Sequence, residues 1–357
     1  MSTPEGPSRG RGPRAGRGNV PTLQDVAREA GVSLATASRV LNGSQRTVAE
    51  PYRGRVERAA AELGYTANVS AQATARGTSP VVALLVADIA DPYFGLIATG
   101  VARGADEHGL VMTISLTQHD PAREARTIRA LRGQRPQGLI LAVSRTCDES
   151  ATDTERELAD FARRGGRVVT FGSGIAEYRR VGIDDRGGAE ELGRSMADLG
   201  YRSAITLAAA EGVIASEDRV VGFRRGFTDG GGVVERVVRG DFRRESGAAS
   251  MASALADGVP EGTLVFGVSD VVAIGAMSAL RDAGRVIGAD VAVCGFDDVP
   301  SGSDLTPALT TVRVPLTELG YQAFRAMVDV EWEQPHLPLD VIVRASTPSR
   351  RARTRSL

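Results

Sequence analysis

Lysine is absent from this chain; all 43 of its basic residues are Arg. That excludes Schiff-base catalysis and the phosphate-gripping lysine of a P-loop. Cysteine is nearly absent too. Cys147 and Cys294 cannot staple 357 residues, and both lie beside apolar segments, which suits reduced thiols in a reducing compartment. The three histidines, His108, His119 and His336, are widely scattered. With no CxxC and no HExxH, a zinc site has almost no raw material, and neither a metal nor a cofactor is expected. No apolar run approaches the ~18 residues that a membrane span requires. The Arg-rich start lacks the apolar stretch of a secretory signal. Membrane and secreted proteins are thereby disfavoured, and a cytoplasmic location is expected.

What is present is unevenly charged. The net charge is −1, but residues 1–19 carry Arg9, Arg11, Arg14 and Arg17 against Glu5 alone. Residues 20–79 carry seven Arg against five acids, and 345–357 carry four Arg and no acid, so the body 80–344 is left at −10. Basic ends on an acidic body suit a polyanion handled by the ends, although such tails are often merely solvated.

Residues 1–19 read as a disordered Arg/Gly/Pro-rich tail, and 345–357 as a second basic tail. Between them, 20–65 reads as three short helices. The first runs from about Leu23 to Ala30 behind the N-cap Thr22, and the second from Ser33 to about Asn42, with Gly43 as its stop. The third runs from about Pro51 to Leu63, ended by Gly64. Val26, Ala27, Ala30, Val32, Ala37, Val40, Leu41, Val56, Ala60 and Leu63 are spaced to share one small core. Residues 66–79 form a connector. From Val81 the pattern becomes strand-like runs (81–87, 110–116, 138–143, 167–171, 203–208, 264–268, 291–295) separated by amphipathic helical stretches. Continuous apolar strands alternating with helices predict parallel sheets covered on both faces. A change of rhythm near 180 predicts two doubly wound subdomains with a ligand cleft at their strand ends.

The stretch 22–42, TLQDVAREAGVSLATASRVLN, has the helix–glycine turn–helix form whose second helix enters the DNA major groove. Ser33, Thr36, Ser38 and Asn42 are short hydrogen-bonding residues suited to phosphate oxygens; Ser33 and Thr36 equally suit helix capping. Arg39 can grip guanine O6 and N7. With Thr22, Leu23, Asp25, Val26, Ala27, Ala30, Gly31, Val32, Val40 and Leu41, and on through Leu63-Gly64-Tyr65 and Asn68, the segment closely resembles the start of LacI/GalR-family transcriptional regulators. Later motifs fall in the family's order: ADPYF at 90–94, VGIDDRGGAE at 181–190, DRVVGFRRGF at 218–227, SDVVAIGAMSAL at 269–280, GFDD at 295–298 and PALTTVR at 307–313.

The resemblance implies a three-helix DNA-binding domain plus hinge, then two subdomains of the periplasmic-binding-protein-like type I fold. Their approximate bounds are 80–180 with 312–335, and 181–311 with 336–344. It implies a homodimer or higher assembly that binds double-stranded operator DNA and is controlled by a small-molecule effector. In the family, the positions of Leu34 and Ala35 hold the sequence-reading pair; apolar here, they offer only van der Waals contact. Tyr65, Asn68, Ala71 and Thr74 fall at further DNA-contacting positions, and Thr74 replaces the leucine that wedges into the minor groove. For the effector, strand ends and the loops after them offer Asp91, Tyr93, Phe94, Ser144, Arg219, Ser269 and Asp297; the resemblance adds Phe242 and implies that Arg219 and Asp297 bond sugar hydroxyls. Ser269 stands where Asn is common, and Gly172 where sugar binders have a larger polar residue. Asp184 and Asp270 also read as helix caps, and Phe94 as either core or cleft wall.

The expected function is a repressor released by a sugar. A nucleobase co-repressor is the alternative effector, and a solute-binding protein is a further class that the helix-turn-helix argues against. An α/β nucleotide enzyme finds no support, because no GxGxxG follows a strand.

Overall fold

The computed structural model describes residues 21–41, 48–66, 78–118, 120–143, 152–172 and 177–350. Chain contacts divide it into a unit ending at Gly77 and a unit starting at Thr78.

In the first unit, α1 (Leu23–Glu29), α2 (Leu34–Leu41) and α3 (Glu50–Leu63) surround a core of Val26, Ala27, Ala30, Ala37, Val56, Ala59 and Ala60. Leu23, Val32, Val40, Leu41, Leu63 and Tyr65 pack against it. A core this rich in alanine lets short helices approach closely, at the cost of little buried area per residue. Thr22 and Asp25 form a reciprocal capping box that satisfies two otherwise orphaned N–H groups of α1. Gly64 ends α3 in the left-handed conformation (φ 61) that side chains resist.

The second unit holds two parallel sheets. The first has the order β2 (Val111–Leu116), β1 (Ser79–Val86), β3 (Pro136–Ala142), β4 (Arg167–Phe171), β5 (Arg179–Val181). The other has the order β7 (Val233–Arg239), β6 (Ser203–Ala208), β8 (Leu264–Gly267), β9 (Ala292–Cys294). Alternate residues of β1 serve opposite faces: Val82, Leu84 and Val86 lie in one core cluster, Ala83 and Leu85 in another. Burial on both faces explains the continuous apolar run.

Helices α4 (Pro92–Glu107), α5 (Pro121–Arg132) and α6 (Thr152–Arg163) belong to the first sheet, and α7 (Asp185–Asp198), α8 (Ile214–Asp229), α9 (Arg244–Ala256) and α10 (Asp270–Asp282) to the second. The short α11 (Pro300–Ser303) precedes β10 (Thr311–Arg313), which pairs antiparallel with β11 (Asp340–Ile342). Between them α12 (Leu316–Val328) returns to the first sheet. There Arg167 donates to the carbonyls of Met327 (3.0 Å) and Val328 (2.7 Å), and Arg179 to those of Ala326 (2.9 Å) and Asp329, so two arginines satisfy the helix's last carbonyls.

Three helix pairs meet backbone to backbone. A methyl group on Gly100 would stand 1.9 Å from the Thr317 carbonyl oxygen (α4 on α12). One on Gly226 would stand 1.9 Å from that of Glu190 (α8 on α7), and one on Gly275 2.0 Å from that of Arg244 (α10 on α9).

Two sequence expectations need correction. β7 was missed: it is an edge strand whose VVERVVR sequence mixes charged and apolar residues, and its pairing with β6 carries a register shift at Ala204/Ile205. Residues 345–350 do not begin a solvated tail. Ser346 and Thr347 are buried, Ser346 Oγ accepts from Thr310 N–H at 2.8 Å, and Arg350 N–H donates to Leu199 O at 2.7 Å. Ser346 Oγ also donates to Val293 O at 2.7 Å, and the Thr347 and Thr310 hydroxyls share a 2.6 Å hydrogen bond.

Candidate functional site

In the first unit, α2 presents Leu34 (45% exposed), Ala35 and Arg39 outward, with Thr36 and Ser38 half-buried beside them. Ser33 Oγ accepts from Thr36 N–H at 3.1 Å, so Ser33 caps the helix, and the two hydroxyls share a 2.8 Å hydrogen bond. Thr22 is engaged in its capping box, and Tyr65 packs on the three-helix core. Asn42, Asn68, Ala71 and Thr74 lie outside the described residues.

In the body, carboxyl ends of strands from both sheets converge on one cleft, as they must in doubly wound folds. A cavity is lined by Tyr93 and Phe94 at the start of α4, Val143 after β3, Phe171 and Gly172 at the end of β4, and Ile183 and Asp185 leading into α7. Ala215, Asp218 and Arg219 of α8 close it. Arg219 is its centre, 4% exposed. Its Nε donates to Asp185 Oδ1 at 2.7 Å and its Nη1 to Val268 O at 2.8 Å, and Nη1 lies 3.0 Å from Asp297 Oδ1. The Phe296 ring lies 4.0 Å under the guanidinium. Burial works against the Arg219 charge, but Asp297 and Asp185 more than offset it and raise its pKa. Burial likewise pushes Asp185 and Asp297 up, with Arg219 opposing.

Asp297 sits at φ 118, in left-handed backbone held by Asp297 N–H to Val312 O (2.9 Å) and Val314 N–H to Asp297 O (3.3 Å). Asp297 Oδ1, buried, accepts no aligned hydrogen bond. Asp91 caps α4 by accepting from Tyr93 N–H at 2.9 Å; burial pushes its carboxyl up to about 6, the Tyr93 bond opposing.

The effector residues expected from the sequence therefore divide. Tyr93, Phe94 and Arg219 line the central cavity, and Asp297 backs Arg219. Asp91 and Phe242 line a neighbouring cavity with Pro92, Arg243 and Val271, so Phe242 does not reach Arg219's cavity. Ser269 is buried as the N-cap of α10, accepting from Val272 N–H at 3.4 Å. Ser144 is outside the described residues. Asp270 is a latch: it accepts from Thr311 Oγ1 (2.6 Å) and Val299 N–H (2.8 Å), and burial pushes it up to about 7. The sequence reading missed Asp185. Asp184 takes the cap, bonding Gly187 N–H at 2.8 Å, which leaves the next carboxylate free to face Arg219. Two adjacent Asp before a helix were the available signal. Among the described residues no group of three His, Cys, Asp or Glu is arranged to hold a metal, and no helix is long and apolar enough to cross a membrane.

A helix-turn-helix unit joined to a two-sheet parallel body with a polar cleft defines a DNA-binding transcriptional regulator. Residues 22–68 match the family model for bacterial regulatory proteins of the lacI family, and 194–347 match the periplasmic binding protein-like domain. The transcriptional regulator GalS of Salmonella typhimurium is 32% identical over 320 residues, covering 87% of this chain and 92% of that one. CelR of Thermobifida fusca is 32% identical over 316 residues, covering 87% and 91%. A solved complex of CelR with cellobiose superimposes with a TM-score of 0.65 at 30% identity, covering 91% and 99% of the two chains. The Lac repressor dimer bound to operator shares the fold with a TM-score of 0.78 at 24% identity, covering 92% and 100%. The chain belongs to the lacI family of bacterial regulatory proteins.

Proposed function

We propose that this regulator is a cytoplasmic repressor that binds a pseudo-palindromic operator as a two-fold pair and is released by a sugar-class effector held in the cleft. The observation that carries the reading is the buried Asp185–Arg219–Asp297 cluster facing Tyr93 and Phe94 of the opposite subdomain. Fixed charged donors and acceptors against aromatic walls suit a small polyhydroxylated ligand, which needs directional bonds and a flat apolar face. Leu34, Ala35 and Arg39 would read bases, while Ser33, Thr36 and Ser38 would set the helix on phosphates. Because one short helix reads too few base pairs for selectivity, pairing supplies the rest.

A ligand touching both subdomains favours one closure angle, and that differential affinity is the free energy available for switching, typically 1–3 kcal/mol. CelR in complex with cellobiose and the Lac repressor dimer bound to operator display these two kinds of partner in relatives. Gel-shift titration of an operator fragment with a sugar panel tests the reading. An effector that releases the wild type should not release Arg219→Ala, whose effector-free DNA binding should be unchanged because Arg219 belongs to the body. An Arg219→Ala response at wild-type effector concentration would refute this use of the cleft.

A further inference from the structure

We propose that the effector is a disaccharide, one ring seated against Tyr93, Phe94 and Arg219 and the other passing Gly172 into an outer pocket walled by Arg180, Arg186 and Gln334. This deepens the sugar reading of the cleft and rests on it. The cavity of Arg219 is not closed at the end of β4. Gly172, Gly182, Ile183, Asp185 and Asp218 line it and equally line a second cavity, so the two run into one another there. Beyond these shared residues the second cavity is walled by Arg180 of β5, Asp184 and Arg186 at the start of α7, and Gln334. Arg180, Asp184 and Arg186 are exposed, so this outer pocket opens to solvent, whereas the inner one is bounded by the buried Phe94, Val143 and Phe171.

Two glycines make the passage. Gly172 N–H donates to Val181 O at 2.9 Å, which sets Gly172 beside Gly182: a methyl on Gly182 would lie 3.4 Å from Gly172 Cα. A methyl on Gly172 would meet no atom within 4 Å, so that residue faces open space, at a φ of 60 that most side chains resist. A ring in the inner cavity can therefore carry a substituent outward past two bare backbones. The outer pocket is polar and nearly balanced in charge. Arg186 is held on Asp218 by bonds of 2.7 and 3.2 Å, Asp184 caps Gly187 N–H at 2.8 Å, and Gln334 Nε2 donates to Gly182 O at 3.0 Å. These groups stand at fixed positions before any ligand arrives, which lowers the ordering cost of binding. Arg180, without an ion-pair partner among the described residues, adds a free fork of donors. A second sugar ring suits such a surface, because each hydroxyl both donates and accepts and brings no net charge. An apolar substituent would strip water from these charged groups and return no hydrogen bond. An anion would meet Asp184, Asp185 and Asp218 as well as Arg180.

Calorimetric titration of the full chain tests this, with cellobiose, maltose, lactose, melibiose, sucrose and trehalose set against glucose, galactose and fructose, and with glucose 6-phosphate and glucuronate as anionic probes. At least one disaccharide should bind roughly tenfold or more tightly than either of its constituents, the worth of one or two added hydrogen bonds. Gly172→Asn accepts the left-handed backbone but fills the opening, and Arg180→Ala removes an exposed donor. The readout is the ratio of disaccharide to monosaccharide affinity. Gly172→Asn should bring that ratio to within a few-fold of one, and Arg180→Ala should shrink it several-fold. A monosaccharide or an anionic probe that binds as tightly as the best disaccharide, or a ratio that neither variant changes, overturns the outer seat and leaves the sugar reading standing. No binding by any member of the panel overturns both.

Discussion

A guanidinium buried as deeply as that of Arg219 stays charged because Asp185 and Asp297 stand 2.7 and 3.0 Å away. Removing one partner leaves an uncompensated charge in low dielectric, which costs more than the pair contributes. On the DNA unit the corresponding lever is Arg39, exposed on α2. Arg39→Ala should cost on the order of 1–3 kcal/mol of specific binding and relax selectivity at one position per half-site. A gel-shift titration at fixed salt checks this, and unchanged affinity refutes it.

Asp270 acts on stability through pH. Its carboxyl is raised from 3.8 to about 7 by burial, so the folded state holds the proton more tightly than the unfolded one. Its contribution to stability is therefore full below about pH 4 and is lost as pH rises through about 7. Asp270→Asn, uncharged throughout, should gain stability relative to the parent as pH rises from 5 to 8, by an amount on the order of a few kcal/mol. Parallel denaturation curves across that range would contradict it.

At the scale of elements, three helix pairs depend on glycine at their crossing points. Gly226→Ala places a methyl 1.9 Å from the Glu190 carbonyl and must push α8 off α7. The intrinsic helical gain of alanine, roughly 0.5–1 kcal/mol, is outweighed by overpacking of about 1–3 kcal/mol. Urea denaturation should show net loss. The same substitution at Gly95, where no atom lies within 4 Å of the added methyl, should show none.

Helices and buried strands were legible because their apolar periods match 3.6 and because a doubly covered strand is apolar throughout. The three-helix core was legible for the same reason: each of its ten expected residues packs into it. β7 was not, since an edge strand with Glu235, Arg236 and Arg239 carries neither a clean alternation nor a continuous apolar run. Asp185 was hidden by its neighbour, because two identical carboxylates on adjacent residues diverge only once the Asp184 cap fixes the helix start. Phe242, placed by resemblance alone, lines a cavity next to the expected one. Position along a chain does not report which side of Asp91 and Pro92 a ring will fall on.

Across the whole molecule, charge is segregated. Residues 1–19 carry four Arg against one Glu, and each phosphate they neutralise adds about 0.9 to the log–log salt slope of duplex binding. Deleting them should flatten that slope and weaken specific and random DNA alike. An identical slope with and without them would mean that they touch no phosphate.

The placement of α12 imposes an order on synthesis. β5 ends at Val181, but the helix that covers the first sheet's inner face begins only at Leu316, after the whole second sheet. A ribosome adds roughly 5–20 residues per second. For several seconds the nascent first sheet therefore exposes Ile97 of α4, together with the open backbones of Gly100 and Gly104, all of which α12 later covers. During that interval Arg167 and Arg179 have no helix end to hold. A chain stalled before Leu316 should be an aggregation-prone client of chaperones. The completed chain buries that face in one late step, when α12 emerges and docks.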